Sequence, residues 1–174
     1  MKRFILAAIA VAFAASPAFA AERPFELEVI VSGEDGVVHY VRNTDEGLSA
    51  AMWTDGEDKD SARLMTGGDA DAAYRKALDT ADIQGADLGD LKLKLFGVSI
   101  YASDEEGGDA ARVVVNAPGG DKSVVIDAQD NGPTGDSAHI VITGADEDGA
   151  EDFIDDIDDA PRSLKREMKE AVGL

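Results

Sequence analysis

The sequence predicts an α+β protein in which an antiparallel four-stranded meander followed by a helix occurs twice, with an additional C-terminal helix. Three observations predict it. The stretch Asp136–Ala150 repeats an earlier one, Asp60–Ala73. Apolar residues alternate with period two through most of the chain, the signature of half-buried strands. Helical spacing of apolar residues emerges only after each copy of the repeated stretch.

The repeat comes first, because an internal period decides the whole architecture. With one extra residue allowed at Ile142, the copies are identical at eight of fourteen aligned positions: Asp60/Asp136, Ser61/Ser137, Ala62/Ala138, Thr66/Thr143, Gly67/Gly144, Asp69/Asp146, Asp71/Asp148 and Ala73/Ala150. Each copy reads as a short strand, a Thr-Gly turn and a helix, with Asp69 or Asp146 placed to cap the first unpaired amides. The pattern implies a duplication whose halves, 21–90 and 91–174, pack as one compact unit.

The N-terminus carries the layout of a secretion signal over residues 1–20. Lys2 and Arg3 form the charged end, Phe4–Ala15 the apolar run, and Ala18-Phe19-Ala20 the small-x-small cleavage site. The apolar run is short for a transmembrane helix, which takes about 20 residues. Cleavage near Ala20 predicts a periplasmic or secreted mature chain without a membrane span. Losing Lys2 and Arg3 takes the formal charge from −20 to −22. With no cysteine in the chain, neither disulfides nor thiolate metal sites are available, so apolar burial must hold the fold.

In the first half, Phe25, Leu27, Val29 and Val31 alternate with Glu26, Glu28, Ile30 and Ser32. A turn at Glu34-Asp35-Gly36 leads into a strand over Val37–Arg42, and Asn43–Gly47 turns into a third over Leu48–Thr54. Ser61–Thr66 is the fourth strand. The helix Asp69–Asp82 places Tyr74, Ala77, Leu78 and Ala81 on one narrow apolar face. Ile83–Asp90 connects the halves.

The second half opens with Leu91, Leu93 and Leu95 alternating with Lys92 and Lys94. The phase then slips at Phe96-Gly97, so that Phe96, Val98 and Ile100 are the apolar set, which predicts a β-bulge there. Strands follow over Arg112–Ala117, Ser123–Ala128 and Ala138–Thr143, with Pro118-Gly119-Gly120-Asp121 as a tight hairpin connection. Ala150, Phe153, Ile154 and Ile157 then form an apolar helical stripe amid acidic residues. Pro161 interrupts it, and Leu164, Met168, Ala171 and Val172 give a second stripe. The two helices are expected to fold back on each other and lay both stripes on the sheet.

The acidity argues against nucleic acid, which needs a basic footprint, and leaves an unknown protein partner or a cationic ligand as the partner class. The two histidines, His39 and His139, have no metal-ligand spacing and read as structural unless their rings meet. No serine lies in a Gly-x-Ser-x-Gly elbow, and the paired glycines lack the lysine of a phosphate loop.

Asp127-Ala128-Gln129-Asp130-Asn131-Gly132 resembles the first half of an EF-hand loop, making Asp127, Asp130 and Asn131 candidate calcium ligands. Gln129, Pro133 and Ala138 depart from that pattern. Paired carboxylates could perform acid–base hydrolysis, but so acidic a chain does not single out a pair. No cofactor is implied.

The reading is an exported acidic, non-catalytic binding protein, with a calcium-binding protein and a periplasmic hydrolase using carboxylates or a histidine as alternatives. Its candidate interaction residues are Trp53, which either faces a groove or packs in the core, and the basic set Arg162, Lys165, Arg166 and Lys169.

Overall fold

The computed structural model describes residues 24–56, 59–81, 91–95, 98–102, 110–116, 123–130, 136–158 and 160–174. The signal at 1–20, the connection 83–90 and the hairpin loop 118–121 lie outside them.

The first half forms β1 (Phe25–Ser32), β2 (Val37–Asn43), β3 (Leu48–Thr54), β4 (Arg63–Thr66) and helix α1 (Gly68–Ala81). The second forms β5 (Leu91–Leu95), β6 (Val98–Ala102), β7 (Ala110–Asn116), β8 (Ser123–Asp130), β9 (Asp136–Ala145), α2 (Glu147–Asp155) and α3 (Arg162–Ala171). The class is α+β. Seven strands make one antiparallel sheet in the order β4-β3-β2-β1-β9-β8-β7, and β5 and β6 pair separately. The first half is therefore the expected meander followed by a helix. The second departs from it, since only three of its strands join the main sheet.

That departure explains the phase slip at Phe96-Gly97. Leu95 is the register partner of Val98, and Leu93 of Ile100. The chain reverses between them rather than bending, so residues on either side of the slip become cross-strand partners. A bulge does occur, but elsewhere: Leu27 pairs with Ile142 while Phe25 pairs with Ala145, so β9 spends one more residue than β1 over that interval. Gly144 sits in the bulge at φ +82°, the left-handed region that glycine enters without strain.

A different residue, Ile142, which stays in register with Leu27 and Val124, separates the two copies of the repeat. Gly67, aligned with Gly144, is also left-handed at φ +56°, but it lies in the turn after β4, whereas Gly144 lies within β9. Side chains alternate faces along a strand, so inserting Ile142 inverts the phase at which the chain leaves the sheet. α1 packs on one face and α2 with α3 on the other. The capping also differs. Asp146 caps α2, its Oδ1 accepting from the Gly149 amide at 3.0 Å. Asp69 is not a cap: α1 begins a residue earlier, its first bond running from the Asp71 amide to the Gly67 carbonyl at 3.1 Å.

Burial follows these two faces. Leu27, Val29, Val41, Met52, Ile126, Ile140 and Ile142 meet Phe153, Ile154, Ile157, Met168 and Val172 from α2 and α3, so both predicted stripes lie on the sheet. On the opposite face Ile30, Val38, Tyr40, Ala51 and Trp53 meet Ala70, Ala77 and Ala81 of α1. Ile30, which falls in the polar row of β1, is fully buried beneath α1. Full burial of a side chain of this size contributes about 1.5–3 kcal/mol.

Two turns hold the meander in register. Buried Asn43 accepts from the Asp45 and Glu46 amides, both at 3.2 Å, and donates to the Val172 carbonyl at 3.1 Å, tying the β2–β3 turn to the end of α3. Gly36 closes the β1–β2 turn at φ +128°, where a Cβ would stand 2.0 Å from the Thr54 carbonyl oxygen. Gly36→Ala is therefore expected to lower unfolding stability by more than about 2 kcal/mol. Gly47→Ala, at φ +68° but in open space, should lose about 1 kcal/mol. Urea midpoints at unchanged slope check both.

Candidate binding groove

Trp53 projects from β3 toward α1 and is 8 % exposed. Its indole N–H donates to the Asp55 carboxylate, which also lies 3.5 Å from Arg63. Arg63 is the register partner of Trp53 on β4. The backbone amide of Asp55 donates to Ser61 Oγ at 2.9 Å, fixing that corner. With its polar atom engaged inside the chain, Trp53 offers only its ring surface outward. That surface lines a groove of about 450 Å³ with Arg63, Met65, Asp69, Ala72, Ala73 and Lys76.

The groove arises from how α1 is patterned. Ala70, Ala77 and Ala81 are buried against the sheet, whereas positions 69, 72, 73 and 76 form a second stripe about a quarter-turn around the helix. Because 72 and 73 are alanines, the helix flank leaves space above Met65 and Trp53. β4 is the terminal strand of its sheet, so this space opens beside a strand edge.

Beyond α1's centre lies a polar cluster. Tyr40 and Tyr74 stack with ring centroids 4.4 Å apart and planes at 24°. Tyr40 donates to Asp71 Oδ1 at 2.8 Å, and Tyr74 donates to Glu28 Oε2 at 2.9 Å. His139 Nε2 contacts the same Glu28 oxygen. Burial, and then the hydrogen bonds to Asp71 and Glu28, push both phenols far above their ordinary range. They are held as neutral donors, and the cluster ties β1, β2, β9 and α1 together.

His39 lies on the opposite face. Its ring is 6.0 Å from that of Phe153, centroid to centroid, and its Nδ1 is buried without a partner. Burial, assisted by the nearby Lys165 cation, lowers its pKa to about 4. The two histidines lie on the strands that flank β1 and face opposite sides of the sheet: His39 pairs with Val29, and His139 with Ile30. Their rings do not meet.

The basic end is largely spent within the chain. Lys169 lies 3.1 Å from Asp155 and 3.8 Å from Glu151, and Lys165 donates to the Asp155 carbonyl at 2.8 Å, which closes the α2–α3 pair. Arg166 lies 3.7 Å from Glu170 one turn on, and Arg162 is exposed in the first turn of α3. Asp127 and Asp130 belong to β8, an extended strand rather than a loop, and Asn131 lies outside the described residues. Among the described residues, no group of three or more acidic or histidine side chains is placed to hold a metal ion. No described helix is long and apolar enough to cross a membrane.

Sequence reasoning raised a groove for Trp53 but missed its other walls, because Met65, Ala72 and Ala73 carry no chemical signal until α1 folds over β4. It also missed Glu28, one of many carboxylates in an acidic chain. No family model, curated protein or solved structure matches this chain.

His39 yields a pH dependence with a definite sign. Its folded pKa lies below its unfolded value of about 6.5, so the stability it allows is complete above that value and declines as pH falls toward 4. Between pH 7 and pH 5 this amounts to about 2 kcal/mol. His39→Leu should remove that part of the acid sensitivity. Equal losses in both proteins, measured by urea unfolding at the two pH values, would contradict the assignment.

Proposed function

We propose that this protein is an exported, acidic, non-catalytic binding protein of the cell envelope, engaging its partner at the groove between α1 and the β3–β4 edge. The observation that carries the proposal is the Trp53 ring forming one wall of a groove of about 450 Å³ while its N–H is satisfied within the chain. Aromatic side chains in partly covered recesses are typical anchors of binding energy, since they offer large rigid surface at low entropic cost.

The disposition of the titratable groups favours binding over hydrolysis. The Glu28 oxygen that faces His139 also accepts from Tyr74, and both tyrosines are held protonated. His39 lies half-buried on the far face and is held neutral near pH 7. A general base needs a reachable lone pair beside a substrate-sized space. The described groove is lined by neither histidine.

The test is capture from an envelope extract by immobilised protein, comparing wild type with Ala72→Phe, which fills the groove from an exposed helix position. A partner retained by the wild type and reduced at least tenfold on the filled variant is the expected result, with Arg166→Ala retaining it as a surface control. Equal capture by wild type and Ala72→Phe would refute the groove as the binding face.

A further inference from the structure

From the groove's charge layout and its strand edge, we infer that its occupant is an extended peptide segment that adds as an eighth strand beside β4, with an apolar residue flanked by one acidic and one basic residue. This rests on the groove being the binding face, and it specifies what the groove takes.

Two features carry it. β4 ends the sheet, so one side of its backbone bonds to β3 and the other side faces away from the sheet beside the groove. An incoming extended chain can satisfy that outer row, as in recognition by strand addition. The groove's charges are the second feature. Arg63 is engaged by Asp55. Among the described residues, Asp69 and Lys76 have no ion-pair or side-chain hydrogen-bond partner, and both are exposed.

Asp69 and Lys76 stand at opposite ends of the helix stripe, seven residues or about 10 Å apart along the axis. Between them lie Ala72 and Ala73 on the helix and Trp53 and Met65 on the sheet. Alternate residues of a strand share a face, so positions i, i+2 and i+4 of the guest span about 13 Å. Flexible charged side chains take up the difference. The apolar residue at i+2 rests on Trp53 and Met65, a basic residue meets Asp69 and an acidic one meets Lys76. The guest adds antiparallel to β4, the sense of every pairing in this sheet, and in that direction specificity lies in charge order, because the reversed guest sets like charges together at both ends.

The test uses two capped seven-residue peptides of identical composition and opposite charge order, Thr-Lys-Thr-Leu-Thr-Glu-Thr and Thr-Glu-Thr-Leu-Thr-Lys-Thr, titrated at low salt against the full mature chain. Trp53 is the only tryptophan, so its emission reports occupancy directly. The expected result is that one charge order binds at least tenfold more tightly. The variant Asp69→Lys with Lys76→Glu should then prefer the other order, and N-methylation of alternate guest amides should abolish binding. Equal binding of both orders, or undiminished binding of the N-methylated guest, overturns strand addition with this charge register. Should Ala72→Phe block partner capture while neither peptide alters Trp53 emission, this inference falls and the groove assignment stands. Should capture also survive the filled groove, both fall.

Discussion

The pairing of β1 with β9 is the constraint on which the rest depends. Leu27 opposite Ile142, Val29 opposite Ile140 and Val31 opposite Ala138 join residues more than a hundred positions apart at the centre of the sheet. Without that junction there would be two separate sheets, each too small to bury both faces. With it, β1 has neighbours on both edges and helices on both faces, so Ile30 and Leu27 are both fully buried though they point in opposite directions. In a chain without cysteine, this continuous apolar burial takes the place of covalent bridging.

The junction also organises the polar groups. Glu28 on β1 meets His139 from the neighbouring strand and Tyr74 from the helix above, so one carboxylate links both halves of the chain. One residue along each strand, the side chains turn to the other face, where His39 is enclosed with Phe153. Two half-buried histidines on the same sheet thus have unrelated environments, one hydrogen-bonded to Glu28, the other with a buried, unpartnered nitrogen. Strand alternation is the whole reason. The helices differ in the same manner: α1 approaches the sheet through alanines and leaves a groove at its flank, while α2 and α3 interlock through larger side chains and internal ion pairs.

Much of this was legible from residue order. The alternation at 25–32, the turn signals near Gly36 and Gly47, and the stripes ending in Ile157 and Val172 are local patterns, and local patterns survive into the fold. The left-handed glycine in both copies of the repeat was legible too, although only Gly67 makes a turn with it and Gly144 stays within β9. The fate of the copies was not. Ile142 looks like a gap in an alignment, yet one residue of strand exchanges the two faces and sends α2 to the side opposite α1. The slip at Phe96-Gly97 was visible, but whether the chain bends or reverses depends on which strands pair, a non-local matter.

Taken alone, the sequence determined the α+β class, the four strands and helix of the first half, and the single tryptophan as a candidate for contact, because these follow from spacing and composition within a few residues. Only the tertiary structure decided that β1 and β9 adjoin, that the histidines lie on opposite faces, and that Met65, Ala72 and Ala73 border the tryptophan. Those outcomes rest on contacts between distant segments. The free energy that selects among them comes from burying whole faces together, which no short stretch of residues encodes.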